Sequence, residues 1–348
     1  MITLPGLIDP HVHLRDPGQT EKEDFFTGTS AALAGGFTTL IDMPNNPDPI
    51  TTEAKLMAKQ KIASEKIVCD VGFHFGSLGD NLDEFTKVQD KVLGLKIYLN
   101  QTTGGFMVTP DIFLKIASVW PDKTPILVHA EADVLEQILL IGSETKQKIH
   151  VCHVSSRVEL QTIINAKKEG HKVTCGVTPH HLFLNEGDTA QLGSFGKMKP
   201  NLKSKKDVAF LWENLDQIDI IESDHAPHTL EEKQSENPPY GVPNLETTLP
   251  LLLTAVSENK LTLDDIRRLC HDNVEKIFNI NQDLQTNIEV DENEEWTIEN
   301  DKLFTKCKWS PFDGWKVKGK VKKVVIRGKT VFADGNVLAE PGSGKIIL

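Results

Sequence analysis

Short apolar runs separated by longer stretches of helical spacing set the rhythm of this chain. Eight runs recur: Leu7–Leu14, Phe37–Met43, Ile67–Phe75, Gly94–Leu99, Pro125–Ala130, Lys148–Val154, Lys172–Pro179 and Ile218–Asp224. Runs this short and this apolar read as strands buried on both faces, and the stretches between them carry apolar residues at helical spacing. Strand alternating with helix predicts a parallel sheet wrapped by helices, and eight such units predict a (β/α)8 TIM barrel. Capping-box spacing marks helix starts at Thr20-Glu-Lys-Glu23 and Ser156-Arg-Val-Glu159.

After about residue 285 the helical spacing stops. Lys320–Arg327 and Lys329–Phe332 read as strands, with Gly328 and Asp334-Gly335 as turns. The chain therefore divides into a barrel, 1–284, and a small β-rich appendage, 285–348. Because the barrel pattern starts at Leu7, no N-terminal strand is expected to complete the appendage, and the chain is expected to be a segment of a longer polypeptide.

Composition narrows the class. With 348 residues, 39% of them hydrophobic, the chain can bury a large core. A net charge of −12 without Lys/Arg-rich blocks argues against a nucleic-acid or membrane surface. The five cysteines are dispersed and form no CxxC pair, which suits reduced thiols in a cytoplasmic compartment. No signal peptide and no apolar run of about 18 residues is present.

The chemistry sits at the predicted strand ends. His11 and His13 flank Val12, so in an extended strand both side chains leave one face and can share a divalent cation. Strand four carries Lys96, strand five ends in His129-Ala-Glu131, strand six in Cys152-His153, and strand eight in Asp224-His-Ala-Pro-His228. Barrel active sites lie at the C-terminal mouth, where these residues would meet. A lysine inside a barrel strand is costly to bury as a cation. A neutral amine can instead add carbon dioxide, becoming a carbamate whose two oxygens can bridge two metals. Arg15, two residues beyond His13, can face the same mouth, where its fork matches a carboxylate; Asn45, ending strand two, adds an amide.

Taken in order, His11-Val-His13-Leu-Arg15-Asp-Pro-Gly, Met43-Pro-Asn45, Gly94-Leu-Lys96-Ile-Tyr, His129-Ala-Glu131, Cys152-His153-Val and Ser223-Asp224-His-Ala-Pro-His228-Thr resemble the dihydroorotases of the amidohydrolase superfamily. The likeness is strongest to the dihydroorotase domain of multifunctional eukaryotic pyrimidine-synthesis proteins, and it runs from residue 5 to Gly335. The resemblance implies two Zn2+ ions bridged by carboxylated Lys96 and a hydroxide. His11, His13, Lys96 and Asp224 would hold one ion, and Lys96, His129 and His153 the other. It implies reversible cyclisation of N-carbamoyl-L-aspartate to L-dihydroorotate, with Asp224 as ligand and acid/base. Arg15, Asn45 and His228 would anchor the substrate carboxylate, and backbone near Tyr240-Gly241 would contact the ring. Thr102 and Thr103 would lie on the family's mobile active-site loop. A homodimer is implied too, as is covalent linkage to carbamoyl phosphate synthetase and aspartate transcarbamoylase.

Three positions depart from that pattern. Gly176 stands where animal relatives carry a glutamate implicated, with the strand-six cysteine, in a further metal site, so a third metal is not expected and Cys152 reads as a packed thiol. Thr103 replaces a common aromatic residue, and Lys199 stands where arginine is expected. His74, His150 and His171 read as structural or solvent-facing, and Trp296, Trp309 and Trp315 as packing residues. Two other functions remain open: another cyclic amidase of allantoinase or dihydropyrimidinase type, against which Arg15 argues, and a silent scaffold, against which the intact ligand set argues.

Overall fold

The computed structural model describes residues 1–102 and 106–348. Eight parallel strands follow one another around the barrel in sequence order: β2 (Leu7–Val12), β3 (Phe37–Asp42), β4 (Asp70–Gly76), β5 (Gly94–Tyr98), β6 (Ile126–His129), β7 (Ile149–Val151), β8 (Val173–Val177) and β9 (Ile220–Ile221). A Val12–His225 bridge, with the His13 amide donating to the His225 carbonyl at 2.8 Å, joins the last strand to the first. Seven of the predicted runs contain one of these strands whole, and the third, Ile67–Phe75, overlaps Asp70–Gly76. Their apolar side chains face helices outside and an apolar floor inside, where Ile8, Ile41, Leu127, Cys152 and Ile220 meet Val274 and Phe278. That floor leaves the polar residues gathered at the opposite, C-terminal mouth.

Helix starts follow side-chain caps. Ser156 and Glu159 form the expected capping box at the helix Arg157–Lys168. The expected box at Thr20–Glu23 is corrected: the helix Phe25–Ala34 is capped by Asp24, whose carboxylate accepts from the Thr27 amide while the Thr27 hydroxyl accepts from the Asp24 amide. Glu23 is fully buried and spent on other partners, including His225 and the Lys306 amide.

A second, antiparallel sheet runs in the order β1 (Ile2–Pro5), β10 (Asn287–Thr297), β11 (Lys316–Ile326), β12 (Lys329–Ala333) and β13 (Asn336–Val337). The expectation that no N-terminal strand completes this sheet is overturned, since Ile2–Pro5 pairs with Asn287–Val290. Its inner face, with Ile288, Val290, Val321 and Val324, packs on Leu249, Leu252 and Leu253 of the helix Leu245–Ser257. On the outer face the acidic β10 meets the lysines of β11, pairing Glu289 with Lys323 at 2.8 Å and Glu295 with Lys318 at 3.3 Å. Such opposite charges directly across a ladder offset the poor strand propensity of the acidic run. Among the described residues, no helix is long and apolar enough to cross a membrane.

Candidate active site

Six side chains from five strand ends converge at the mouth. His11, on β2, and His13, just past its end, both face the Asp224 carboxylate, their Nε2 atoms lying 3.3 and 3.1 Å from its Oδ1. His129 Nδ1 and His153 Nε2 are 2.9 Å apart. The His11 and His153 rings lie 5.2 Å apart, centre to centre, joining the two pairs into one cluster. One ligand atom each of His11, His153 and Asp224 falls within 4.8 Å of the others. Lys96, fully buried, points its amine at the Cys152 sulfur, 3.1 Å away, and at the Tyr98 ring.

This donor set could hold a metal ion. Imidazole nitrogens and carboxylate oxygens suit zinc and its neighbours. His129 Nε2 and His153 Nδ1 are buried without a hydrogen-bond partner, a costly state for polar atoms unless something else binds them. The protonation states fit as well. Burial pulls His13 down to about 4, and burial with neighbouring His129 and Lys96 pulls His153 far below the usual imidazole range. Burial would raise Asp224, but His11 and His13 outweigh it and hold the carboxyl below the ordinary range. Neutral imidazoles beside an ionised carboxylate are the form in which such ligands take up a cation.

Outer partners fix the ring orientations. His13 Nδ1–H donates to Asn45 Oδ1 at 2.7 Å, which leaves Nε2 as the lone-pair nitrogen facing Asp224. Asn45 therefore spends its oxygen on His13 and keeps its NH2 for the pocket. Its loop is held by the buried Lys59, paired with Asp42 at 2.7 Å and donating to Asn46 Oδ1 and the Met43 carbonyl. His153 and Asp224 have φ values of 41° and 46°, and Arg15 one of 63°. These left-handed backbones cost on the order of 1–3 kcal/mol each and turn the side chains from strand direction into the mouth.

Glu222 is the functional residue that sequence reasoning missed. It is fully buried, accepts from His11 Nδ1–H at 3.1 Å, and also accepts the His153 backbone N–H. The signal was available: Glu222 precedes Asp224 by two residues, the spacing that puts both on one strand face. It also explains Gly176, where an added Cβ would lie 2.6 Å from Glu222 Oε1. His11, Cys152 and Glu222 form a second group of donors within 4.8 Å of one another. Burial pushes the Cys152 thiol up to about 12. Glu222→Gln is expected to lower metal affinity or turnover about 10–100-fold, the usual cost of losing a ligand's outer partner; metal content after dialysis against a weak chelator checks it.

The substrate side of the mouth is a small cavity lined by His13, Arg15, Asn45, Thr102, Lys199, Asp224, Tyr240 and Gly241, among others. Arg15 is buried, with Nε donating to the Pro227 carbonyl at 3.1 Å and Nη2 lying 3.2 Å from His228 Nε2. His228 also lies 3.0 Å from the Tyr240 carbonyl and 3.3 Å from Glu232. Burial and the adjacent Arg15 hold His228 well below the usual imidazole range, so it stands neutral beside the guanidinium. Thr103 lies outside the described residues. His74 and His150 are buried beneath the mouth, against Phe278, and His150 Nε2 lies 3.7 Å from Glu222 Oε2. Trp309 packs as expected and also donates its indole N–H to the His228 carbonyl at 2.7 Å.

The sequence profile of the Amidohydrolase family matches residues 2–116. The dihydroorotase of Pyrococcus furiosus is 36% identical over 368 residues, covering 99% of this chain and 85% of that protein. This chain belongs to the dihydroorotase family. Multifunctional protein CAD of Squalus acanthias is 47% identical over 99% of this chain, which spans only 16% of that protein's length. Among solved structures, L-hydantoinase (dihydropyrimidinase) from Arthrobacter aurescens superposes with a TM-score of 0.93 at 26% identity, covering 99% of this chain and 88% of that one. The inactive dihydroorotase-like domain of the Chaetomium thermophilum CAD-like multifunctional protein superposes with a TM-score of 0.86 at 27% identity, covering 100% and 99%. The family thus uses this fold both with and without activity, so the site residues decide what the chain does.

Proposed function

We propose that this chain is a zinc-dependent dihydroorotase, interconverting N-carbamoyl-L-aspartate and L-dihydroorotate, and that it works as one unit of a larger multifunctional, dimeric polypeptide. The observation that carries the reading is a cluster of buried imidazoles and carboxylates at a barrel mouth, walled on its open side by a buried arginine. His11, His13, Asp224 and carboxylated Lys96 would hold one cation, and Lys96, His129 and His153 the other. When bound, the cations polarise the ring carbonyl and bring the pKa of water to about 7.

The protein's own groups do the rest. Arg15, held by the Pro227 carbonyl and braced by His228, is preset to grip the ring carboxylate, and the Asn45 NH2 reaches the same space. In hydrolysis the Asp224 carboxylate accepts the proton of the attacking water and returns it to the ring nitrogen as the C–N bond breaks. In cyclisation the order reverses. The dianion N-carbamoyl-L-aspartate takes up one proton and loses water to give the monoanion dihydroorotate. Acidic buffer is therefore expected to shift the equilibrium toward the ring and alkaline buffer toward the open form; product ratios at equilibrium between pH 6 and 9 check the sign.

A cyclic amidase without a carboxylate-bearing substrate has no use for Arg15 at this wall. Side-by-side assays of dihydroorotate, dihydrouracil, hydantoin and allantoin test the reading. Dihydroorotate is expected to exceed the others by about 10⁴-fold in kcat/KM, the scale on which a buried polar group left unpaired rejects a ligand. Equal turnover of dihydrouracil would overturn the substrate, and no turnover of any by the metal-loaded protein would favour a silent domain like that of the Chaetomium thermophilum relative.

A further inference from the structure

One buried cation has no part in the chemistry above. Lys233 ends the short helix Leu230–Lys233 that follows the Asp224–His228 loop, and none of its surface is exposed. Its amine donates to three backbone carbonyls, those of Lys197 at 3.0 Å, Pro239 at 3.1 Å and Gly241 at 3.1 Å. It lies 5.3 Å from the centre of the Trp309 ring and, among the described residues, makes no ion pair with a carboxylate. Burial, with Lys197 nearby, pulls Lys233 down to about 7, yet its three accepting carbonyls call for all three hydrogens of the ammonium. An ammonium buried without a counter-charge is costly, and an apolar side chain of the same length would fill the space more cheaply.

The three carbonyls belong to two separate segments, and both end at the substrate pocket. Lys199 follows the first by two residues, while the second contains Tyr240 and Gly241; all three line the cavity. The segments meet where the Gly241 amide donates to the same Lys197 carbonyl at 3.1 Å. Gly241 has a φ of 135°, and a Cβ there would lie 2.6 Å from the Ala226 carbonyl oxygen, so this backbone is pressed against the strand-eight loop. Carbonyl oxygens turned toward one point repel one another unless a cation sits at that point. Without it the Gly241–Lys197 hydrogen bond would have to hold the segments together against that repulsion.

We propose that Lys233 is a positioning residue for substrate recognition: its ammonium gathers the Lys197, Pro239 and Gly241 carbonyls so that Lys199 and the Tyr240-Gly241 backbone form a fixed wall opposite Arg15. This rests on the reading of the site as one that binds dihydroorotate. Lys233 touches no metal ligand, so its loss acts on binding rather than on the reacting centre. The Tyr240 carbonyl meets His228, which braces Arg15, and this links the clamp to the carboxylate anchor.

The test measures KM, kcat, metal content and far-UV circular dichroism for the parent, Lys233→Met and Lys233→Gln. Lys233→Met is expected to raise KM for dihydroorotate at least about tenfold, with kcat changed less than about threefold and metal content unchanged. Lys233→Gln, which keeps two N–H donors, is expected to fall between parent and Met. An unchanged KM with kcat scaled to the folded fraction would overturn the proposal, and so would failure of both variants to reach the parent's circular dichroism, which would make Lys233 a fold determinant. A parent that does not turn over dihydroorotate would overturn the functional reading itself, separately from the behaviour of the variants.

Discussion

Lys96→Ala is expected to lose at least about 10³-fold in turnover of dihydroorotate and to purify with less metal than the parent. Lys96 sits at the centre of the strand ends, on β5, within electrostatic reach of both His129 and His153. Among the described residues the other lysines with almost no exposed surface are engaged elsewhere: Lys59 is paired with Asp42 and Lys233 is bound to three carbonyls. As a carbamate, the Lys96 side chain would add the negative charge and the two oxygens that the histidines alone do not supply. Alanine removes both and leaves buried imidazoles facing one another, as His129 and His153 do at 2.9 Å. Elemental analysis beside a dihydroorotate assay checks the two effects together. Full activity in the alanine variant would end the bridging account.

Asp224→Asn is the second large effect. The amide keeps the size of the carboxylate and one oxygen that can ligate, but it cannot take a proton from water or return one to a leaving nitrogen. A kcat lower by about 10²–10⁴-fold is expected, the range general acid–base groups supply, with KM for dihydroorotate little changed because Arg15 and Asn45 remain. Metal retention separates this variant from Lys96→Ala. Loss of both metals in Asp224→Asn would reassign Asp224 to ligation alone.

The barrel was legible because its eight strands are local: each apolar run is bounded by helical spacing, and no distant partner is needed to recognise it. The boundaries were less so. The eighth strand spans only Ile220–Ile221: the Glu222 amide still donates to the Val177 carbonyl at 3.0 Å, but by Asp224, with a φ of 46°, the backbone has turned into the mouth. The third begins at Asp70 rather than Ile67, because the Ile67 carbonyl accepts from the Gly342 and Gly344 amides near the C-terminus and the Val68 amide donates to Thr29. Such contacts join residues far apart in sequence and leave no local pattern. The same reason hid β1, a four-residue strand that means nothing without β10, and β10 itself, whose acidic run is a strand only beside the lysines of β11.

At the site, the paired histidines, Lys96 and Asp224 could be found because their spacing states their chemistry. Asn45 was found for its amide, but its bond to His13 could not be read, since the two lie 32 positions apart. Glu222 lacked a motif of its own, and nothing at Gly176 signalled the carboxylate that packs against it. Lys233 was hidden more deeply, because its partners are backbone carbonyls, which have no sequence signature at all.

The most direct test is a crystal of the zinc-loaded protein measured on both sides of the zinc absorption edge. The account predicts two anomalous peaks about 3.5–4 Å apart among His11, His13, His129, His153 and Asp224, with continuous density from the Lys96 amine passing between them. A single peak, or a Lys96 side chain ending at an unmodified amine beside Cys152, would contradict it.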